Sequence, residues 1–283
     1  MAIRFLIDSS SDISLTEAEA HGIAFVPMTV SFGQEEYRDG IDLDKDAFYE
    51  KLIESDVLPR TAQVPPHVYS RVFADLTANG DTVIAITISS AFSGTYQSAC
   101  LAAQDFPGKV YVVDSRNVSI GEQLLILRAL EMAREGMPAE TLVAKLEQER
   151  ESIRVLAVLE TLEYLRKGGR IPTALAVAGD LLNIRSVVAV EEGKVHLVGK
   201  ARGSKNGNNL LRKLVLEGRG INFSRPHCVA YSGLSDAVLR KYMQDHADLW
   251  QTDTCELPVR RVGSAIGTHI GPGAIAVAFF EKD

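Results

Sequence analysis

The sequence predicts an α/β fold in two domains: an N-terminal domain with a mainly parallel sheet flanked by helices, and a smaller C-terminal α/β domain with antiparallel pairing. In the first half of the chain, short strands that are apolar on both faces alternate with helices, which is typical of a parallel sheet covered on both sides. In the second half, two strand-like runs meet at Glu192-Gly193 and indicate a hairpin. A chain of 283 residues is long enough for two domains. We place the boundary near residue 165, which gives domains of 1–165 and 166–283.

Strands and helices alternate through the N-terminal half. The strand at 3–8 is a continuous apolar run, and a polar turn separates it from a helix near 14–21. Pro27 restricts the pairing of the extended segment at 23–32. The later elements of this half are helices at 44–55 and 65–80, a strand at 82–88, a helix at 95–106, a strand at 109–115, and helices at about 120–135 and 139–151. Asp44 is a typical cap for the first of these helices, and a proline start is typical of the second.

The C-terminal half has a different character. A strand at 155–161 leads into a basic segment with two glycines at 162–172, and the hairpin occupies 186–202. The following elements are a helix near 204–217, a strand at 227–231, a helix at 235–249 and strands at 255–261 and 274–281. A hairpin combined with these helices predicts antiparallel pairing in a second α/β unit.

Composition and charge narrow the class of protein. Apolar residues make up 46% of the chain and charged residues 24%, which is ordinary for a soluble globular protein. The net charge of −7 argues against a general nucleic-acid binder and against broad adsorption to anionic membranes. The three cysteines are far apart and form no CxxC pair, which favours reduced thiols. Because the start resembles no signal peptide and no apolar run has the length of a membrane span, we expect a soluble, cytoplasmic protein.

Polar residues follow three of the N-terminal strands. Residues 9–12 follow the first strand, residues 89–94 follow the strand at 82–88, and residues 114–115 end the strand at 109–115. Ligands of parallel α/β sheets bind at the carboxyl ends of the strands. We therefore expect these three segments to converge.

Ser93 lies where a strand gives way to a helix, and three roles are open to it. The nucleophile elbow of hydrolases has the pattern G-x-S-x-G, but Ala91 and Thr95 stand where its glycines belong, and no histidine is identified as a base. As an anion ligand, Ser93 would add a hydroxyl donor to the N–H groups of a helix N-terminus, and Gly94 would let the ligand approach the backbone. Alternatively, Ser93 or Thr95 only caps the helix.

Further candidate residues have weaker signals. Thr61 precedes a helix that starts with proline, where it presents a hydroxyl donor or belongs to a simple loop. Thr268 and His269 lie in a glycine-rich turn, where the imidazole donates to an anion or bridges backbone groups. Arg170 and Arg202 belong to two basic turns, each of which is either a solvated surface or a contact for an anion or partner. No HExxH pattern is present, so we expect no metal site.

The order of these segments resembles the DegV family of bacterial fatty-acid-binding proteins across nearly the whole chain. The matching segments are 8–12 (DSSSD), 60–65 (RTAQVP), 89–99 (SSAFSGTYQSA), 112–123 (VVDSRNVSIGEQ), 162–172 (LEYLRKGGRIP), 181–187 (LLNIRSV), 200–205 (KARGSK) and 266–277 (IGTHIGPGAIAV). This many segments in the family's order make a coincidence implausible.

The resemblance implies that one long-chain fatty acid lies in an internal apolar tunnel between the domains. The N-terminal domain would carry the loops that bind the carboxylate, and the C-terminal domain would close the tunnel. In the family, the threonine of a T-S-Q-P segment and the serine of an S-G-T-Y segment hold the carboxylate, and these positions are Thr61 and Ser93 here. The resemblance also places His269 and Arg170 near this head group.

The resemblance further implies a reaction shared between two proteins. Family members serve as the acyl-binding subunit of fatty acid kinase, in which a separate ATP-binding subunit phosphorylates the carboxylate for acyl phosphate formation and phospholipid synthesis. The chain itself would then be no enzyme and would hold no cofactor besides its fatty acid. Arg202 would help to dock the kinase subunit. The absence of a P-loop pattern from the sequence agrees with an ATP site in the partner.

The chain departs from the family pattern near the head group, and other functions stay open. The segment 61–66 reads TAQVPP, so the serine that usually follows the threonine is missing. Phe92 stands where leucine is common, and would shorten or bend the tunnel if it faces inward. The alternatives are a serine-dependent acyl hydrolase or transferase that uses Ser93, and a carrier or sensor of another anionic amphiphile without a kinase partner.

Overall fold

Three β-sheets organise the chain, and the computed structural model describes residues 2–172, 183–250 and 256–282. The strands in these ranges are β1 Ile3–Asp8, β2 Ala24–Val26, β3 Thr29–Phe32, β4 Glu35–Arg38, β5 Arg60–Ala62, β6 Thr82–Thr87, β7 Val110–Asp114, β8 Ile153–Leu159, β9 Ile184–Glu191, β10 Lys194–Arg202, β11 His227–Tyr231, β12 Val259–Arg261 and β13 Ile275–Phe280. The α-helices are α1 Leu15–Ala20, α2 Lys45–Glu54, α3 Pro66–Thr77, α4 Thr95–Ala103, α5 Ile120–Arg134, α6 Ala139–Glu149, α7 Glu163–Lys167, α8 Ser204–Glu217, α9 Ala237–Asp245 and α10 Ser264–Ile270. Single turns of 3-10 helix lie at Ser9–Ser11, Arg150–Ser152 and Ala247–Leu249.

The first sheet is parallel, as the sequence predicts. Its strand order is β2-β1-β6-β7, and each of its pairings is parallel. Parallel neighbours need a crossover connection, and α1 supplies it between β1 and β2, while α4 supplies it between β6 and β7. The predicted α/β fold with a parallel sheet flanked by helices is therefore confirmed.

The second sheet has six strands in the order β10-β9-β8-β13-β11-β12 and is antiparallel except between β11 and β12. β9 and β10 form the predicted hairpin. Its turn residues Glu192 and Gly193 have φ angles of 49° and 76°, as a two-residue hairpin turn of this kind requires. β8 precedes residue 165 and pairs with β9 and β13. The division of the chain at residue 165 stays a prediction.

A third sheet of three short antiparallel strands, in the order β4-β3-β5, does not follow from the sequence patterns. The extended segment expected at 23–32 breaks at Pro27 into β2 of the parallel sheet and β3 of this sheet. Proline lacks an N–H and has a fixed φ angle, so it interrupts the hydrogen-bond ladder. Thr61 lies on β5, where it pairs with Val30 of β3.

The expectation that Thr268 and His269 lie in a glycine-rich turn is wrong. Both residues belong to α10, and the turn begins only at Gly271, where φ is 69°. The first turn of this helix is held from outside, since Asp39 accepts a hydrogen bond from the N–H of Ser264 at 3.2 Å. A carboxylate at a helix N-terminus satisfies free N–H groups and complements the helix dipole. This tertiary contact explains a helix where the local sequence favours a turn.

Two other C-terminal elements are shorter than expected. The helix expected at 235–249 divides into α9 and a 3-10 turn, with His246 between them in a non-helical conformation. The strand expected at 255–261 begins at Val259, and residue 255 lies outside the described residues. Residues 181–182, the first two of the segment LLNIRSV, also lie outside them. None of the helices in the described ranges has the length and apolar character needed to cross a bilayer.

Helix α5 lies in the apolar core that joins the two large sheets. Its Leu124 is fully buried in a cluster that includes Ile84 of β6 and Val155 of β8. These strands belong to the parallel and the six-stranded sheet respectively. Packing of α5 against both sheets therefore fixes their relative position.

We expect Leu124→Ala to lower the free energy of unfolding by about 2–5 kcal/mol, because it removes buried atoms and leaves a cavity. Leu101→Ala is the matched control, since Leu101 is also helical but 56% exposed, and it should cost less than about 0.5 kcal/mol. Urea denaturation followed by circular dichroism measures both changes. Equal destabilisation by the two substitutions would contradict the central position of α5.

Candidate ligand-binding site

Side chains from distant parts of the chain line one pocket, which has a cavity volume of about 60 Å³. Its apolar lining consists of Met28, Ile88, Phe92, Val118, Leu165, Val195, Ala265, Ile266 and Ile270. Its polar lining consists of Thr61, Ser93, Arg170 and His269, all of which are candidates from the sequence. The pocket therefore suits a ligand that has an apolar body and one polar end.

Thr61 and His269 form a hydrogen-bonded pair in the pocket. Thr61 Oγ1 lies 2.9 Å from His269 Nε2. The other ring nitrogen, Nδ1, is buried and has no hydrogen-bond partner among the described residues. Burial, together with the nearby Arg170, lowers the pKa of His269 to about 4. The imidazole is therefore neutral at pH 7 and carries one proton.

The surroundings of the imidazole indicate where this proton is. A buried N–H group without an acceptor is rarer than an unused lone pair, so we assign the proton to Nε2 and the lone pair to Nδ1. Nε2–H then donates to Thr61 Oγ1, and the hydroxyl proton of Thr61 remains available. In this arrangement Thr61 is a hydrogen-bond donor for the pocket, and His269 fixes its orientation.

Arg170 brings a positive charge to the pocket, and none of the described residues forms an ion pair with it. Its Nε donates to the carbonyl of Phe92 at 3.1 Å, and its Nη1 donates to the carbonyl of Gly168 at 2.6 Å. Burial lowers the pKa of the guanidinium, and no carboxylate of the described residues offsets this effect. The group nevertheless stays charged at neutral pH. A partly buried cation bonded only to carbonyl groups favours an anionic ligand.

Ser93 lines the pocket at the start of α4, whereas Gly94 does not. Ser93 Oγ accepts a hydrogen bond from the N–H of Thr95 at 3.2 Å and lies 2.9 Å from Thr95 Oγ1. Ser93 Oγ thus contacts hydroxyl and amide groups, while the imidazole of His269 bonds Thr61. Gly94 lies against Gln63, whose amide would overlap a Cβ atom at position 94. A larger residue at position 94 would therefore displace the side-chain amide of Gln63.

The aspartates of the segment DSSSD anchor two walls of the pocket. Asp8 Oδ2 accepts a hydrogen bond from the N–H of Ile88 at 2.9 Å, and Ile88 lines the pocket. Asp12 Oδ1 accepts one from the N–H of Gly263 at 2.7 Å, directly before α10, which carries His269. Sequence reasoning assigned no role to these aspartates, although their place at the end of β1 is a usable signal.

The expected convergence of the strand ends is confirmed. Asp8 at the end of β1 bonds Ile88 after β6, and Asp114 at the end of β7 accepts a hydrogen bond from the N–H of Ser90 at 3.1 Å. The structure adds Asp39, which bonds Ser264 across 225 positions of sequence. No local pattern connects these two residues, so the sequence gives no signal for this contact.

Arg202 does not line the pocket. It is exposed at the end of β10, whereas Val195, which lines the pocket, lies near the start of the same strand. The seven residue steps from Val195 to Arg202 correspond to about 23 Å of strand. Arg202 therefore offers a contact on the protein surface and none to a ligand beside Val195.

Comparisons with known proteins find one family along the whole chain. The family model described as uncharacterised protein, DegV family, matches residues 2–282. A DegV domain-containing protein of Caldanaerobacter subterraneus subsp. tengcongensis is 34% identical over 289 residues, covering 99% of each chain. The solved structure of a fatty-acid-binding DegV family protein from Thermus thermophilus has a TM-score of 0.86 at 32% identity and covers 100% of both chains. A stearic acid-binding protein from Eubacterium ventriosum has a TM-score of 0.84 at 26% identity, covering 100% of this chain and 99% of its own.

The depressed pKa of His269 predicts a specific loss of stability in acid. Unfolded histidine binds a proton near pH 6.5, but buried His269 does so only near pH 4, so acidification through this window favours the unfolded state. We expect the ligand-free His269→Gln protein to gain about 3 kcal/mol relative to wild type between pH 7 and pH 4. Urea denaturation across this range measures the difference. Parallel stability curves for the two proteins would contradict a neutral, buried His269.

Proposed function

The chain belongs to the DegV family, and on this basis we propose that it binds a long-chain fatty acid, with the carboxylate at the polar residues of the pocket and the acyl chain along its apolar lining. The observation that carries this proposal is the charge of Arg170 at an otherwise mostly apolar cavity. Thr61 and Ser93 add hydroxyl groups beside it. Solved relatives with the same fold bind fatty acids, which supports the same ligand class.

The apolar and polar parts of the pocket have separate roles in this proposal. Burial of a methylene group contributes about 0.8 kcal/mol, so a chain of roughly 14 methylenes contributes up to about 11 kcal/mol. Ordering of the chain and lost translational freedom reduce this figure considerably. A buried carboxylate without partners is unfavourable by several kcal/mol. Arg170, Thr61 and Ser93 offset that penalty, so the chain sets the affinity and the polar cluster sets the orientation.

A long acyl chain also requires the lining to adjust. The cavity volume of about 60 Å³ is smaller than the roughly 300 Å³ at which ordinary ligand pockets begin. Phe92 and Ile270 are only partly buried and pack at the edge of the central core. We expect these side chains to move when the acyl chain enters, and Phe92 to influence which chain lengths fit.

We further propose that the bound carboxylate is presented to a separate ATP-dependent kinase subunit. A carboxylate is already ionised near neutral pH, so the binding protein needs no general base. A carboxylate oxygen would attack the γ-phosphorus of ATP, the bond to the bridging oxygen of ADP would break, and an acyl phosphate and ADP would form. ATP and Mg²⁺ would belong to the kinase subunit, and the charge of Arg202 would help to dock it at the surface.

Native mass spectrometry of the purified protein tests the ligand directly. We expect a bound mass that corresponds to a long-chain fatty acid, because the apolar lining disfavours water and the acyl chain dissociates slowly. Gas chromatography of the extracted lipid identifies it. A bound sugar phosphate, a bound nucleotide or a protein without ligand would overturn the proposed function.

The charge of Arg170 predicts a large effect of its removal on fatty-acid affinity. Arg170→Gln should lower the affinity about 10- to 100-fold, since hydrogen bonds to charged groups contribute about 1.5–3 kcal/mol. Arg166→Gln is the matched control, because Arg166 is an exposed arginine of the same segment that does not line the pocket. Isothermal titration of delipidated protein with palmitic acid measures both. A similar affinity of the Arg170→Gln protein and the control would contradict the proposed carboxylate site.

The position of Arg202 separates docking from lipid binding. Arg202→Ala should weaken kinase-dependent acyl phosphate formation but leave the affinity for palmitic acid unchanged, because Arg202 is exposed and does not line the pocket. Acyl phosphate formation with the kinase subunit and lipid titration are measured on the same preparation. Equal loss of both activities would contradict a docking role.

A further inference from the structure

Behind the pocket, the buried hydroxyl of Ser10 lies within hydrogen-bond distance of two buried carboxyl groups, those of Asp8 and Glu122. Ser10 Oγ lies 2.5 Å from Asp8 Oδ1 and 2.8 Å from Glu122 Oε2. All three residues have no exposed surface. A serine hydroxyl has one proton to donate, so it cannot donate to both carboxylates at once. One of the two contacts therefore needs a proton on the carboxyl group.

The other partners of the two acids indicate which one carries the proton. Asp8 accepts hydrogen bonds from the N–H of Ser10 at 3.0 Å and from the N–H of Ile88 at 2.9 Å, one on each oxygen. Burial raises the pKa of Asp8, but the hydrogen bonds from Ser10 and Ile88 act in the opposite direction and stabilise its ionised form. Glu122 has only the contact with Ser10, and its Oε1 has no partner among the described residues. This is the environment of a neutral carboxylic acid that donates to Ser10.

The charges around Glu122 agree with a neutral side chain. Burial raises the pKa of Glu122 well above 4.5, and the neighbouring negative charges of Asp8, Asp12 and Asp114 add to this effect. Tyr69 packs near the same acids with a buried hydroxyl. The cation of this region, Lys45, acts on Asp12 and on the fourth buried acid, Asp39. No ion pair joins a described cation to Asp8 or Glu122, and no group among the described residues has the arrangement of a metal site.

We propose that Glu122 is a neutral, proton-donating positioning residue that, through Ser10 and the ionised Asp8, fixes the Ile88 wall of the ligand pocket. The proton of Glu122 bonds Ser10, the hydroxyl of Ser10 bonds Asp8, and Asp8 holds the N–H of Ile88. The carbonyl of Ser10 also accepts the N–H of Ser119 at 3.0 Å. Ser119 in turn bonds Asp12, which anchors α10.

The test by lipid affinity rests on the proposed function, whereas the infrared and melting-temperature measurements described below do not. Glu122→Gln keeps a donor toward Ser10 and should leave the palmitic acid affinity within about threefold of wild type. Asp8→Asn removes one of two required acceptor oxygens and should lower the affinity at least about tenfold. The reverse order of the two effects would overturn the assignment of the proton.

Two measurements on Glu122→Gln do not depend on folding of the Asp8→Asn protein. Infrared difference spectroscopy should show the C=O band of a protonated carboxylic acid at pH 7 in wild type and its loss in Glu122→Gln. Unfolded Glu122 ionises near its usual pKa of 4.5 while native Glu122 keeps its proton, so wild-type stability falls as pH rises through this range. Glutamine does not titrate, so the melting temperature of Glu122→Gln relative to wild type should rise from pH 5 to pH 8.

The possible failures are distinguishable. An absent infrared band, or a melting-temperature difference that is constant with pH, would overturn the neutral state of Glu122 whether or not a lipid binds. Wild-type protein that binds no palmitic acid at any pH would instead contradict the proposed function. A lipid affinity that is equal in wild type and Asp8→Asn, with the band present, would overturn the positioning role alone.

Discussion

Hydrogen bonds from backbone N–H groups to buried aspartates hold the ligand pocket together. The loop after β6 and the start of α10 are far apart in sequence, and neither is held in place by strand pairing. Asp8 and Asp12 lie at opposite ends of one serine-rich turn, and each accepts an N–H group from one of these two walls. A buried carboxylate without donors is strongly unfavourable, so these bonds are not optional in the folded state. The geometry of the pocket therefore follows from the turn at the end of β1.

The buried acidic residues and Arg170 differ in how their charges are compensated by the protein. The aspartates behind the pocket accept hydrogen bonds from backbone N–H groups and serine hydroxyls. The proposed proton on Glu122 removes the negative charge that this side chain would otherwise carry without enough donors. Among the described residues, the hydrogen-bond partners of Arg170 are carbonyl groups, which do not neutralise its charge. An anionic ligand at Arg170 would compensate this charge, in agreement with the proposed position of the fatty-acid carboxylate.

Much of the fold and most of the pocket can be predicted from the sequence, and the failures have a common physical cause. Strands apolar on both faces predict the parallel sheet, and polar residues at their ends predict where a site forms. β4 reads EEYR and is mostly exposed, so it lacks the alternation by which a half-buried strand is recognised. α10 contains one glycine, and Asp39 from a distant part of the chain bonds the N–H of its first residue. Gly94 illustrates the same limit, because its close contact with Gln63 arises only in the tertiary structure. Local sequence patterns reflect only the conformational preferences of neighbouring residues, whereas these features depend on tertiary contacts.

The contact between Arg170 and Phe92 joins the polar and apolar parts of the pocket. Arg170 donates a hydrogen bond to the backbone carbonyl of Phe92, so the guanidinium proposed to bind the carboxylate also fixes the main chain from which the Phe92 ring extends. On the other side, the ring of His269 packs so close to Gly168 that a side chain there would overlap Nδ1, and Gly168 is the second carbonyl partner of Arg170. The head-group residues therefore cannot shift independently of the apolar wall. Because the backbone of Phe92 is held and its ring is only partly buried, rotation of the ring is the main local freedom. Selectivity for the acyl chain should thus change at Phe92 without loss of carboxylate binding, whereas a change at Arg170 should disturb both.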